Sequence, residues 1–367
     1  MRIDEVLAPQ LDLARHPPKL WRPKRVLVTP DALGWAHGRG IIERAAAFGA
    51  EVVELSSNRL TGLTADDPRQ AYKTAKETLA VVVASPAKRR LQPIAPSADW
   101  RVDLAEGCPA HCQYCYLAGS LKGPPVTRVY ANLPEILAEL PAKLGHGAIT
   151  SRMEHRAHEG TTYEASCYTD PLGIEHLTGS LSAAIAHFGA WDAAAQLRFT
   201  TKYDGVEPLL DLPHGGRTRV RFSVNAAPAA SRFEGGTASV PARLAAMGRL
   251  ARAGYPVGLT VAPIMPIPDW GEHYASLFAA AAAALPDGAD LTVELITHRF
   301  TPGSKDVLTG WYPGSSLEMD EAQRSKKTTK FGSLKYVYPK EVMRDLRGFI
   351  EGEIARTLPT ANVLYWT

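Results

Sequence analysis

Several things are scarce in this 367-residue chain. It has four cysteines, far too few to staple a scaffold of this length, so its stability comes from a buried core and not from disulfides. Its longest apolar run, "LFAAAAAAL", is much shorter than a bilayer requires. The first residues, "MRIDEVLAPQLDLARHPPKLW", alternate charge and proline with no apolar h-region, so neither a membrane anchor nor a secretory leader is expected and the reading is cytoplasmic. Charge of one sign is also scarce: a formal net charge of +3 does not announce a nucleic-acid partner. The early glycines Gly38 and Gly40 make no GxGxxG fingerprint, which leaves "KRVLVTP", "GRGIIERAAAFGA" and "EVVELS" as a structural strand, helix and strand.

What is present is unevenly placed. Three of the four cysteines, Cys108, Cys112 and Cys115, fall within "EGCPAHCQYCYLAG" as C-x3-C-x2-C, while Cys167 stands apart. Clustered thiols in a reducing compartment bind metal more often than they pair. Basic residues gather too. Between Asp320 and Arg347 there are eight Lys or Arg against four acids, and "RSKKTTKFGSLKYVYPK" mixes its cations with Phe331, Tyr336 and Tyr338 around Gly332. That pattern predicts a hairpin able to meet phosphates.

After the proline-rich and basic "SPAKRRLQPIAPSADW", strand and helix patterns alternate for two hundred residues. The predicted strands are "RVDLAEG", "TTYEASCYT", "LRFTTK", "RVRFSVNA", "PVGLTVAPIMP" and "DLTVELITHRF", with helical patterns between them. About six β/α units predict a parallel sheet with helical crossovers, an incomplete α/β barrel. The expected layout is an extension over 1–24, a small α/β domain over 25–95, the partial barrel over 96–300, and a hairpin with a closing helix over 301–367. In such sheets the site forms at the C-terminal strand ends. Glu164, Ser166, Cys167 and Asp170, then Lys202, Ser223 and Asn225, then Glu294 and His298 stand at those ends.

Three thiolates at this spacing can converge on one centre from a single loop. A zinc site would need a fourth ligand from His111 or the remote Cys167; a 4Fe–4S cluster would use three and leave one iron open. The pattern with Tyr114 before its last cysteine resembles the radical S-adenosylmethionine (SAM) enzymes. That resemblance implies that SAM chelates the open iron and is cleaved to a 5′-deoxyadenosyl radical.

"GCPAHCQYCYL", "YEASCYTDPLGIEHLTGSL", "LRFTTKYDGVEPLLD", "TRVRFSVNA", "ARAGYPVGLTVAPI" and "VELITHRFT" together resemble the spore photoproduct lyase family, in the same order, from about Arg25 onward. The resemblance implies repair of a thymine dimer in UV-damaged DNA, with an electron donor such as a flavodoxin or ferredoxin. Cys167 would give a hydrogen atom to the product radical, and Tyr114 and Tyr116 would form a relay that helps regenerate SAM. Ser166, Asp170, Lys202, Ser223 and Asn225 would lie along SAM. Thr169, Lys330, Phe331, Lys335 and Tyr336 would meet the lesion or the DNA. Where an Arg–Tyr pair meets the lesion in that family, this chain has Lys330 and Phe331, which leaves open a relative acting on another lesion. The segment "GHGAITSRMEHRAHEG" is longer than the family's, and its His146, His155 and His158 read as a solvated insertion. A DNA-binding protein with a structural metal is the reading from a different class.

Overall fold

Strands buried on both faces are expected to be apolar throughout, yet "TRVRFSV" and "AQLRFTT" alternate, and the fold explains why. In a computed structural model, which describes residues 17–120, 125–150, 152–328, 332 and 334–367, both segments lie centrally in an eight-stranded sheet. Along Thr218–Val224 every residue is buried. Val220, Phe222 and Val224 point to one face, where helices such as Val240–Arg252 and Ser180–Ala190 cover them. Arg219, Arg221 and Ser223 point to the other. The polar half of the alternation thus faces protein instead of solvent. Phe222 and its neighbours Phe199 and Leu259 are wholly inaccessible, and each such side chain contributes roughly 1.5–3 kcal/mol of burial.

The large sheet runs Asn362–Trp366, Leu291–Thr297, Val257–Ile264, Thr218–Val224, Ala195–Thr201, Thr161–Ala165, Ala98–Val102, Gln92–Ile94. All neighbours are parallel except the last pair. Five of the six sequence-predicted strands sit side by side in one open sheet; the sixth, "RVDLAEG", divides between Ala98–Val102 of this sheet and Ala105–Glu106 of the smaller one. Two edge strands that periodicity did not reveal, Gln92–Ile94 and Asn362–Trp366, extend the sheet. A smaller sheet, ordered Glu51–Glu54, Arg25–Val28, Thr78–Val82, Thr127–Tyr130, Ala105–Glu106, packs Val26, Val28, Leu79 and Val81 beneath the helix Ala36–Ala47. Its last two strands come from beyond residue 96, so this sheet is not confined to the 25–95 segment.

The concave face of the large sheet is filled by charge. Arg221 pairs with Glu164, and with Glu294 at 2.7 Å. Arg198 reaches Glu294 at 3.0 Å and Glu159 at 3.4 Å, and Arg156 closes the row on Glu159 at 2.9 Å. Three guanidinium groups meet three carboxylates, so the interior is neutral although every member is ionic. Glu164 and Glu294, expected as site residues, belong to this row.

Arg156 and Glu159 come from the long segment after Lys143, which corrects the reading of that segment as solvated. Its His146, His155 and His158 are exposed, but Arg156 is buried and donates to the Pro96 and Ser97 carbonyls. Asp99 accepts from the backbone N–H groups of Ile149 and Thr150, at 2.6 and 3.2 Å. Buried hydrogen bonds bolt the segment to the sheet. No described helix is long and apolar enough to cross a membrane.

Candidate active site

Gly107 lets the chain enter the cysteine loop. Its φ is +76°, and an added Cβ would lie 2.1 Å from the Val126 carbonyl oxygen, so no other residue fits there. The loop is then tied down from both sides. His111 and Cys112 form a short antiparallel ladder with Glu234 and Gly235, and the Gln113 N–H donates to the Phe233 carbonyl at 2.8 Å. From the smaller sheet's side, the buried Lys76 ammonium donates to the Cys108 carbonyl at 2.6 Å and to that of Ala110. Sequence reading missed Lys76 because it ends a helix thirty-odd positions from the loop it serves.

Cys112 is buried, Cys108 and Cys115 are half-buried, and all four cysteines are free thiols. Burial pushes the Cys108 thiol up to about 12, with Lys76 pulling the other way. Burial raises Cys112 and Cys115 as well, against the nearby Lys202 and Lys76 respectively. Bare, the loop is a neutral set of three protonated thiols; iron binding would displace those protons.

Two observations bear on what the thiols hold. Among the described residues, no three His, Cys, Asp or Glu side chains converge closely enough to hold a single metal ion. His111, the candidate fourth ligand of a zinc site, instead pairs through Nδ1 with the Tyr72 hydroxyl at 3.1 Å. The second observation is Tyr203. Its ring lies flat on Gly173, where a Cβ would come within 2.4 Å of a ring carbon. Its hydroxyl is buried without a partner, and Cys108, Asp170, Cys112 and Arg243 are the groups that act on it. A buried hydroxyl with nothing to bond to is costly. One in the neighbourhood of Cys108 and Cys112 is a donor that sulfur atoms of a cluster would accept. The donor set and this hydroxyl fit a 4Fe–4S cluster on Cys108, Cys112 and Cys115.

The facing rim is built after the strand Thr161–Ala165. Ser166 adopts φ +54°, rare for a residue with a side chain, and its Oγ accepts from the Leu104 N–H at 2.9 Å. This bend carries Cys167 and Thr169 over the concave face. Thr169 Oγ1 is buried and unpartnered. Asp170 is already occupied: it accepts from Thr201 Oγ1 at 2.8 Å and from the Lys202 N–H at 2.6 Å, and burial lifts its carboxyl to about 6. Asn225 is likewise engaged, donating to the Pro263 carbonyl at 2.8 Å and accepting from Tyr274 at 3.0 Å. Ser223 lies between them, its carbonyl taking an Arg243 N–H at 2.9 Å.

The two tyrosines of the loop point different ways. Tyr114 donates its hydroxyl to Glu234, a residue that carries no motif and was not foreseen. Glu234 also binds Lys202 at 2.7 Å and Arg243 at 2.6 Å. Burial opposes its charge, but Lys202 and Arg243 outweigh burial and hold the carboxyl down to about 2. Lys202, expected along SAM, is therefore the cation of a buried pair beneath Tyr114. Tyr116 is 62% exposed, and the groups acting on its hydroxyl are Cys167, Cys115, Glu164 and Cys108. Burial of the hydroxyl, and then Cys167 and Cys115, raise its phenol.

The thiol of Cys167 is pushed up by burial and then by Asp103, while Arg101 pulls it down. Arg101 and Asp103 also escaped the sequence reading: they open the predicted strand "RVDLAEG", whereas the strand of the structure, Ala98–Val102, ends beside them.

The C-terminal hairpin forms as expected, Ser325–Thr328 against Leu334–Val337. Lys327 sits directly opposite Lys335, a like-charge pair that an anion would relieve. Tyr336 is buried, its ring stacked on Phe300 at 5.3 Å; it anchors the hairpin and is not presented outward. Lys330 and Phe331 lie outside the described residues.

A family profile described as spore photoproduct lyase matches residues 21–367. The chain belongs to the spore photoproduct lyase family. It is 41% identical over 348 residues to a spore photoproduct lyase of Geobacillus sp. (strain Y412MC61), covering 94% of this chain and 98% of that one. To the enzyme of Bacillus subtilis (strain 168) it is 39% identical over the same shares. Among solved structures it resembles a spore photoproduct lyase mutant with bound AdoMet and dinucleoside spore photoproduct, with a TM-score of 0.85 at 38% identity, covering 95% of this chain and 100% of that one. The open α/β sheet is thus the family's own, and the residues gathered on its concave face can be weighed as spore photoproduct lyase residues.

Proposed function

We propose that this chain is a DNA repair lyase that reverses the spore photoproduct to two thymines, using SAM and a 4Fe–4S cluster in a six-unit partial barrel. The observation that carries the reading is the three-thiol loop, held in place by the ladder of His111 and Cys112 with Glu234 and Gly235 and by the Lys76 ammonium. Family membership supports it, as does the likeness to a structure that holds AdoMet and the dinucleoside lesion together.

Cys108, Cys112 and Cys115 would hold the cluster, and with SAM bound it supplies the one-electron cleavage that yields a hydrogen-abstracting radical. The chain's own residues do the rest. Cys167 gives its S–H hydrogen to the carbon radical left when the bond between the two bases breaks, which needs a protonated thiol. Tyr116, next to Cys115 in the loop, returns a hydrogen atom to the resulting thiyl, and Tyr114 backs it with Glu234 as acceptor for the phenolic proton. Thr169 and Tyr203 bring unpartnered hydroxyls. Ser166, Asp170, Lys202, Ser223 and Asn225 frame the SAM side, with Asp170 and Asn225 holding neighbouring backbone in place. Lys327 and Lys335 on the hairpin meet DNA phosphates while the dimer is extruded from the stack. A small reducing protein, a flavodoxin or ferredoxin, delivers the electron.

The test is anaerobic reconstitution with iron and sulfide, then incubation with SAM, a reductant and the dinucleotide lesion. Thymine release is expected. SAM cleavage without thymine would sink the lyase reading, and stoichiometric zinc without a brown chromophore would sink the cluster. In Cys167→Ala, SAM is still cleaved but adducts replace thymine as the main product.

A further inference from the structure

Lys76 closes the helix Pro68–Lys76 and is only 5% exposed. Its ammonium donates to the Cys108 carbonyl at 2.6 Å and to that of Ala110, and it stands 5.5 Å from the Tyr72 ring centroid. What it lacks is a counter-charge. Among the described residues no carboxylate pairs with it, and its neighbour Glu77 is taken by Lys24 at 2.8 Å. Lys202, the other cation near the loop, is by contrast matched by Glu234 at 2.7 Å. A lysine is almost never buried unpaired, because taking an ammonium out of water is expensive.

Structural duties do not account for the charge. Tying two carbonyls takes two N–H groups, and a glutamine amide offers two with no charge to bury. The negative end of the helix dipole favours a cation, but Lys73 in the same last turn supplies one from solvent. The loop itself provides the missing partner once it is loaded, since three neutral thiols become three thiolates when they take up iron. The carbonyl oxygen and the sulfur of one cysteine are four covalent bonds apart, so the Lys76 charge lies within about 8 Å of the Cys108 sulfur. At both Cys108 and Cys115 burial raises the thiol, and Lys76 is the foremost charge pulling it down.

We infer that Lys76 is the buried counter-ion of the loaded cysteine loop and raises the reduction potential of the cluster held there. The inference rests on the reading of Cys108, Cys112 and Cys115 as ligands of a 4Fe–4S cluster. Reduction takes one electron from the small reducing protein, breaks no bond and takes up no proton, so the loop gains one negative charge. A fixed cation beside it stabilises the reduced form more than the oxidised one. One nearby opposite charge moves a protonation equilibrium about tenfold or more, and gaining an electron changes charge as losing a proton does. Tenfold in a one-electron equilibrium is about 59 mV.

The test is a potentiometric titration of SAM-free, cluster-loaded enzyme under anaerobic conditions, following the electron paramagnetic resonance signal of the reduced cluster. Lys76→Gln keeps two N–H groups for the carbonyls and removes the charge, and its potential is expected to fall by at least about 59 mV. Lys76→Arg keeps the charge and stays near the wild-type potential. Lys73→Gln, which removes an exposed cation of the same helix, does not move it. The Lys76→Gln shift persists at high salt, which screens a surface charge far more than a buried one. In turnover, Lys76→Gln slows SAM cleavage with a mild one-electron reductant, and a stronger reductant restores the rate; a disturbed loop would slow both alike.

An unchanged potential in Lys76→Gln, or an equal fall in Lys76→Arg, overturns the inference. If Lys76→Gln holds no iron, Lys76→Arg decides: cluster binding kept by the arginine supports the charge, and loss in both assigns Lys76 to loop geometry alone. Wild-type protein that takes up no 4Fe–4S cluster removes the reading beneath the inference. A normal cluster indifferent to Lys76→Gln removes only the counter-ion.

Discussion

Glu234 is the residue whose loss the structure says most about. It is 6% exposed, with Lys202 at 2.7 Å, Arg243 at 2.6 Å and the Tyr114 hydroxyl on one carboxylate. Its carboxyl is held down to about 2 from an ordinary value of 4.5, and at 1.36 kcal/mol per unit that difference corresponds to roughly 3 kcal/mol. Breaking a buried ion pair by removing one partner costs about 3–5 kcal/mol from mutational experience, so the two routes agree. The carboxyl is depressed in the folded state. Its contribution is therefore complete above the unfolded value near 4.5 and fades as pH falls toward 2. Glu234→Ala at pH 7.5 should lower unfolding stability by about 3 kcal/mol, read from urea denaturation of the cluster-free protein by circular dichroism. The gap to wild type should narrow below pH 4.5, as Glu234 of the unfolded wild-type chain takes up its proton while the folded carboxyl stays ionised until about 2. A cost under about 1 kcal/mol would mean that Lys202 and Arg243 are compensated elsewhere, and the account of the network beneath Tyr114 would be wrong. In turnover, where Glu234 is read as the acceptor for the Tyr114 proton, Glu234→Gln should consume more SAM per thymine while leaving the first SAM cleavage intact.

Two further perturbations check other parts of the site. Gly107→Ala places a Cβ 2.1 Å from the Val126 carbonyl oxygen at φ +76°; it should destabilise by more than about 2 kcal/mol and lower iron content after reconstitution, measured by urea denaturation and metal analysis. Tyr203→Phe removes a buried hydroxyl that has no partner. Cluster-free protein should be unchanged or stabilised by about 1 kcal/mol, whereas the loaded protein should lose stability, and equal effects on both would disconnect Tyr203 from the cluster.

Much of the site was legible in the chain because its chemistry depends on local spacing. Three thiols within one loop must lie near one another whatever the surroundings, and polar residues closing successive strands of a parallel sheet must share an edge. The predicted strands were legible for a similar reason, since each carries β-branched and aromatic residues bounded by turn signals. Less legible were segments whose role is set by a distant partner. Glu234 sits in an irregular segment and matters because a two-residue ladder places it under Tyr114. Lys76 matters because its helix ends against the loop carbonyls. The insertion looked solvated because seven of its sixteen residues are charged or histidine, yet Arg156 and Glu159 turn inward to complete a neutral row. Tyr336 looked like a ring free to occupy a vacated stack, and the bridge to Phe300 buries it instead.

The amino-acid sequence by itself determined the thiol donor set, the order of strands and helices, and the separation of Cys167 from the other three cysteines. These follow from spacing and periodicity, which act within a few residues. Only the tertiary structure decided which charges neutralise one another on the concave face, that Glu234 lies under Tyr114, and that Tyr336 is buried against Phe300. Electrostatic and hydrogen-bond partners are chosen by distance in space, and a parallel sheet brings together residues that lie tens of positions apart along the chain.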